Sequence, residues 1–202
     1  MCNCDHVVKA FAAIAALVAT ASASAEDGKV LPAYAAPYGF TLLEMAELTA
    51  VYNTGVSSEN PSTPAPPDVP FQILVADATV NPDTILYVPV YYADDSGGAP
   101  SGFPKDVFDQ CEDEDFLLSY VLANYQVSAF IVQVDGKTAI LGADSISGVR
   151  TAPLLDGTPP GTHYITSAAF ISPLTKGKHT VGIGGMVDGK PVVFASYTVS
   201  VR

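Results

Sequence analysis

Chemically versatile side chains are sparse in this chain, and the densest group of them is QCEDEDF, residues 110–116, where Glu112, Asp113, Glu114 and Asp115 follow Cys111. Carboxylates at this density raise the question of calcium. A helix-loop-helix calcium loop needs oxygens at alternating positions, Gly at the sixth and a bidentate Glu at the twelfth. Counting from Asp113 puts Leu118 sixth and Asn124 twelfth, so the spacing fails. The following FLLSYVLANY repeats its apolar residues at helical intervals, with Phe116 and Tyr120, and Leu117 and Val121, four apart. The acidic stretch therefore reads as the start of a helix, where carboxylates face unpaired N–H groups and the positive end of the macrodipole. Asp106 and Asp109 add oxygens to an irregular calcium site but no ligand spacing. One cysteine makes a poor zinc site, which wants three or four N or S ligands. The sequence predicts no metal and no cofactor.

The other reactive groups are scattered. Anionic neighbours suppress the thiolate of Cys111, which leaves it a small buried apolar group or half of an intermolecular disulfide. His163 and His179 stand in no metal or catalytic motif, and His179 keeps step with Val181 and Ile183 as a partly buried strand residue would. Ser145 and Ser147 in ADSISG lack the G-x-S-x-G elbow of a serine hydrolase, and GGMVDGK lacks phosphate-loop spacing. ILYVPVYYADDSGG is the most suggestive stretch. Strict alternation would point Leu86, Val88 and Val90 to one face and Tyr87, Pro89 and Tyr91 to the other, with Pro89 tolerated chiefly on an edge strand. Tyr87 and Tyr91 would then form an aromatic strip beside Asp94 and Asp95, a surface suited to the apolar faces and hydroxyls of a sugar. The competing reading packs both tyrosines beneath a helix.

These residues need elements to hold them, and the chain supplies them after a leader. FAAIAALVA is a short apolar run, and Ala23-Ser24-Ala25 supplies the small-residue pattern for cleavage, so residues 1–25 read as a signal peptide, although Asp5 offsets the single Lys9. The expected location is secreted or periplasmic. Removing 25 of the 202 residues leaves 177, enough for one domain burying roughly 70% of its unfolded surface. In residues 26–202 the first ordered element is a helix over 42–52: Thr41 and Glu44 have capping-box spacing, and Phe40, Leu43, Ala46 and Ala50 repeat helically. ENPSTPAPPDVP, 59–70, is a proline-rich connector. From Phe71 on, seven runs read as strands: FQILVA, TILYVPVYY, SAFIVQV, KTAILG, HYITSAAF, HTVGIGGMV and PVVFASYTVSV. VDGK at 134–137 and again at 187–190 gives two Asp-Gly hairpin turns. Ala195, Tyr197, Val199 and Val201 alternate with Ser196, Thr198 and Ser200, the pattern of an antiparallel strand wet on one face. The predicted fold is mostly β: an antiparallel β-sandwich, Ig-like or jelly-roll-like, with two attached α-helices.

Charge narrows the partners. The formal net charge is −12, and losing Lys9 and Asp5 together leaves it there. Nucleic acid and anionic lipid need clustered Lys and Arg, so neither is expected. No apolar run in the mature chain approaches the about 20 residues of a membrane span.

Tyr38-Gly39 followed by Glu44 and Ala46, Asn60-Pro61, the Leu86–Val90 run around its proline, Gly177-Lys178-His179-Thr180-Val181 with Gly184-Gly185, and the closing Tyr197–Val201 occur in order over most of the mature chain. In these features the chain resembles an uncharacterised family of secreted bacterial proteins. Members usually carry several tryptophans in the first helix, where this chain has Met45, and it contains no Trp. The resemblance implies export and a bacterial source and supplies no substrate. Together these readings predict an exported, non-enzymatic binding or structural domain whose partner is a carbohydrate or another cell-envelope protein. The alternatives are a glycan-binding module on the tyrosine strip and a hydrolase of unrecognised type using Asp94 and Asp95. Adjacent carboxylates on a strand point to opposite faces, which weakens that pair as acid and base.

Overall fold

Hydrophobic alternation broken by Gly, Pro and Asp turns produces strands here, and they assemble into two sheets. The computed structural model describes residues 28–53, 69–94, 114–150 and 163–202. Nine strands and two helices lie among them: α1 (Leu42–Asn53), β1 (Phe71–Ile73), β2 (Ala78–Val80), β3 (Ile85–Asp94), α2 (Glu114–Tyr125), β4 (Phe130–Val134), β5 (Lys137–Leu141), β6 (Ile146–Arg150), β7 (His163–Ile171), β8 (Gly177–Val187) and β9 (Lys190–Val201). One sheet has the order β1-β3-β7-β6 and the other β2-β9-β8-β4-β5. The main core lies between them: Leu86, Val88, Ile165 and Ala169 from the first sheet meet Val132, Val134, Val181 and Val199 from the second. Among the described residues the protein is mostly β with two α-helices, as its residue pattern predicts.

The sheets are mixed, which corrects the antiparallel expectation. β1 pairs parallel with β3, and β2 pairs parallel with β9. The chain leaves the first sheet after β1, adds β2 to the second and returns as β3. A crossing and its return restore the original direction, so β3 lies beside β1 running the same way. Neither β2 nor β6 is among the seven predicted runs. ATV is too short to show alternation, and ISGVR is diluted by Ser and Gly.

Local chemistry holds elsewhere. The Thr41 N–H donates to the Glu44 carboxylate at 2.7 Å, and the Glu44 N–H donates to the Thr41 hydroxyl at 3.2 Å, a reciprocal capping box. The Thr41 N–H bond, together with the Thr41 hydroxyl donating to the same carboxylate at 2.9 Å, holds the Glu44 carboxyl below its ordinary pKa, the backbone bond foremost. The buried face of α1 is Leu42, Met45, Ala46, Thr49 and Ala50, and it covers the outer side of the β1-β3-β7-β6 sheet. Leu43, expected on that face, is 43% exposed. Cover on both sides explains why β7 is buried along its whole length. Both VDGK turns have positive φ at their central residues: Asp135 at 48°, Gly136 at 80°, Asp188 at 50° and Gly189 at 73°. This is the type I′ geometry that suits a twisted two-residue hairpin. α2 starts at Glu114, within the acidic stretch. Cys111, Glu112, Asp113, Asp106 and Asp109 lie outside the described residues, as do the leader and the 59–68 part of the connector.

Candidate functional site: a cleft between two open strand edges

The tyrosine strip does not form. β3 and β7 stay in register from Leu86 opposite Ile171 to Pro89 opposite Ala168, and then Tyr91, not Val90, stands opposite Ser167. One extra residue inverts the phase of the strand, as a β-bulge must. Tyr87, before the bulge, keeps the face opposite Leu86 and Val88, which is the outer one beneath α1, with Met45 and Phe170. Tyr91 points into the core between the sheets, stacked on Phe130 at 5.6 Å between centroids and 18° between planes. Tyr87 is 0% exposed and Tyr91 6%, so both are packing residues and the expectation of an exposed pair is corrected. Asp94 lies opposite Tyr164 on the outer face and is half-buried, and Asp95 falls outside the described residues. Pro89 sits in a strand with neighbours on both sides, yet β1 covers β3 only over Ile85–Tyr87, so the missing N–H falls beyond the end of β1. Exposed aromatic surface appears elsewhere, at Tyr125 and Phe194, whose rings stack at 6.0 Å and 28°.

Two of the polar groups singled out from the sequence, Ser145 and His179, are engaged in holding turns. The Ser145 hydroxyl donates to the Gly142 carbonyl at 2.6 Å and lies 3.2 Å from the Ser167 hydroxyl. It closes the 3-10 turn Ala143–Ser145. His179 is 9% exposed, with Nδ1 2.7 Å from the Asp135 carboxylate and Nε2 2.8 Å from the Thr175 carbonyl. Both ring nitrogens face acceptors, an arrangement that the imidazolium satisfies with two N–H donors. Neither nitrogen is left to act as a base. The second oxygen of Asp135 accepts from the Thr180 N–H at 2.8 Å. Partial burial pushes the Asp135 carboxyl up, but the His179 ring, the Thr180 N–H and the Lys137 charge outweigh it and hold it below the usual carboxylate value. The effect is a latch: the β4–β5 turn is tied to the start of β8. Among the described residues, no three His, Cys, Asp or Glu side chains gather in a group able to hold a metal ion.

What the latch positions is β5, the last strand of its sheet among the described residues. Val134 and Lys137 flank a two-residue turn and so form a hydrogen-bonded pair; Val132 with Ala139 and Phe130 with Leu141 continue the pattern. The intervening residues, Thr138 and Ile140, consequently direct their N–H and C=O groups away from β4. Among the described residues those groups meet no backbone partner. The Gln133 amide donates to the Thr138 hydroxyl at 2.9 Å and ties β5 to β4 through side chains as well.

Opposite β5 runs the lead-in segment 29–33. The Leu31 N–H donates to the Phe170 carbonyl at 2.8 Å, and the Lys29 carbonyl accepts from the Ser172 N–H at 2.9 Å. The segment thus extends the first sheet along the end of β7, with Val30 bridged to Ile171. By the same alternation Val30 turns its own N–H and C=O away from β7.

A cleft lies between these two edges and has two lobes. The wider lobe, ≈ 620 Å³, is lined by Gly28, Lys29, Val30, Val134, Lys137 and Thr138, together with Ala139. The narrower, ≈ 280 Å³, shares Lys29, Val30 and Ala139 and reaches Leu141, Gly142 and Asp144. The cleft therefore runs along the whole of β5. Of its lining residues only Ser145 was weighed from the sequence, as a hydrolase serine and not for binding. KTAIL did signal a strand there, but nothing local shows that it is an edge or that residues 29–33 face it.

No family model matches the chain, and no curated protein matches it. Among solved structures it is similar, over 68% of its length and 100% of the other chain, to the cysteine protease inhibitor EhICP2 from Entamoeba histolytica, at 14% identity and a TM-score of 0.26. A likeness this loose carries no argument about the chain.

No helix among the described residues is long and apolar enough to cross a membrane.

Proposed function

We propose that this protein is an exported, non-enzymatic binding domain that holds an extended polypeptide along β5. The observation that carries the reading is the open edge of β5, with the outward backbone groups of Thr138 and Ile140 facing a cleft. Exposed edges ordinarily invite uncontrolled pairing and are blunted or covered. Here the edge is short and faces a cleft opposite a second edge, which suits strand addition by a chosen partner. Main-chain hydrogen bonds supply affinity in that mode, and side-chain pockets supply selectivity. The leader pattern at residues 1–25 and the resemblance to exported bacterial proteins support export. The cell-envelope partner expected from the sequence is, on this reading, a protein segment, since the tyrosines proposed for glycan are buried.

Two measurements test the proposal. Mass spectrometry of protein from the native host should find Glu26 at the N-terminus, and an intact Met1 on cytoplasmic protein would overturn export. A displayed library of random nine-residue peptides, panned on residues 26–202, should yield binders that slow amide exchange at Thr138 and Ile140. Failure to enrich any binder, or protection confined to other strands, would overturn the binding reading.

A further inference from the structure

We infer that the guest of the β5 cleft is a single extended strand inserted between β5 and segment 29–33, antiparallel to both and apolar at alternate positions, so that it joins the two sheets on this side of the sandwich. The inference rests on the strand-addition reading above and adds the second edge, the direction and the side-chain pattern of the partner. Thr138 and Ile140 turn their N–H and C=O groups away from β4, and Val30 turns its own away from β7. Among the described residues the outward groups of all three meet no backbone partner. Both edges line the same cleft: Val30 shares the wider lobe with Thr138 and the narrower lobe with Ile140.

The lining of the lobes gives the direction of each edge. The wider lobe brings residues 28–30 beside 137–139, and the narrower brings residues up to Ala33 beside Leu141 and Gly142. Gly28 also abuts Val134, which pairs with Lys137 across the turn: a Cβ at Gly28 would meet the Val134 side chain at 2.9 Å. The two edges therefore run the same way along the cleft. A strand between them is antiparallel to both or parallel to both, never mixed. Antiparallel pairing is the more stable per residue, and it continues the pairing that β5 has with β4 and Val30 with Ile171. Backbone groups of successive strand residues point to opposite sides. Two guest residues spaced by one thus serve Thr138 and Ile140, while an adjacent guest residue serves Val30. Val134 and Leu141 belong to the main core and Val30 packs against it, so the guest's inward side chains, every second one, meet apolar surface. A strand the length of β5 spans about 17 Å, which sets the guest at five or six residues, with proline excluded because it brings no N–H.

The test uses peptides enriched from the nine-residue library, each remade as a series in which one residue at a time carries a methyl group on its backbone nitrogen. That change deletes one N–H and leaves the side chain in place. Binding to residues 26–202 is read by fluorescence anisotropy. A guest bonded on both sides should lose about tenfold or more in affinity at consecutive positions, whereas a guest bonded to β5 alone loses it only at every second one. Bound peptide should slow amide exchange at Val30 as well as at Thr138 and Ile140. A nitroxide on the peptide's C-terminus should broaden the amide signals of Gly136 and Lys137, and one on its N-terminus those of Leu141 and Gly142. Sensitivity at alternate positions only, with Val30 unprotected, would overturn insertion and leave addition to β5 standing. Exchanged nitroxide patterns would overturn the direction. Val30→Pro, which deletes an outward N–H without a partner among the described residues, should weaken binding by about tenfold or more, and unchanged binding would again overturn insertion. If that variant does not fold, the methyl series on wild type decides the same point. A library that yields no binder overturns the strand-addition reading and this inference together. A dimer of wild type that peptide cannot displace would assign the edges to a second copy and overturn the inference.

Discussion

Replacing Tyr87 by Phe should stabilise the protein. Its hydroxyl is fully buried beneath α1 and has no hydrogen-bond partner among the described residues. Two threonine hydroxyls, of Thr49 and Thr166, lie close enough to temper its acidity, but burial, followed by the neighbouring Tyr164, dominates and pushes the phenol well above its ordinary value. Thr49 donates to the carbonyls of Met45 and Ala46, and Thr166 to the carbonyl of Tyr91, so either threonine could serve Tyr87 only as an acceptor, and neither stands in hydrogen-bond geometry with its hydroxyl. A buried polar group left without a partner costs about 1–3 kcal/mol of desolvation. The ring contributes separately, by packing at 5.7 Å from Phe170 and against Met45. Tyr87→Phe keeps the ring and removes the penalty, so it should gain about 1 kcal/mol, or about 2–4 °C in Tm for a domain of this size. Tyr87→Ala removes the ring as well and should cost roughly 3–5 kcal/mol. Urea unfolding of the mature chain and both variants measures these differences, with the slope showing whether the two-state form is kept. A fall in stability of about 1 kcal/mol or more in Tyr87→Phe would refute the reasoning, because it would mean that the hydroxyl is bonded in the folded protein.

Asp135→Asn should lose stability at neutral pH, and the gap to wild type should close in acid. The sign follows from a folded carboxyl held below its ordinary value: the contribution is complete above the unfolded Asp value of about 3.9 and is lost as pH falls through the lower folded value. Unfolding curves from pH 7 to pH 2.5 check this, and a gap independent of pH would sink it. Gly184→Ala should cost more than Gly182→Ala, since a Cβ at Gly184 would collide with the Val192 carbonyl oxygen, whereas one at Gly182 meets side chains alone, Val193 at 3.2 Å and Gln133 at 3.5 Å. The first belongs at the upper end of the roughly 1–3 kcal/mol typical of overpacking, and equal melting temperatures would count against the close approach at the β8–β9 bulge.

Short-range chemistry was legible in the sequence because its signals are complete within a few residues. The capping box of Thr41 and Glu44, the two Asp-Gly turns, the seven long strand runs and the satisfied strand position of His179 all depend on neighbours in the chain. Asp135 and His179 show the limit. Each has a readable local place, one in a turn and one in a strand, but their 2.7 Å contact spans 44 residues and follows only once β4 pairs with β8. Phase is the second thing that pattern alone misses. A single additional residue between Pro89 and Tyr91 moves Tyr91 from the expected surface into the core, because side chains alternate with a period of two and one insertion inverts everything after it. The cleft beside β5 is the third. Lys29 and Lys137 are more than a hundred residues apart in the chain and share a lobe only because segment 29–33 extends one sheet while β5 ends the other. Sequence by itself determined the elements and turns of this protein, since those rest on local periodicity and backbone preference. Tertiary structure decided which strand is an edge, which face each tyrosine takes and which charges meet, since these depend on pairing between distant segments that no local pattern encodes.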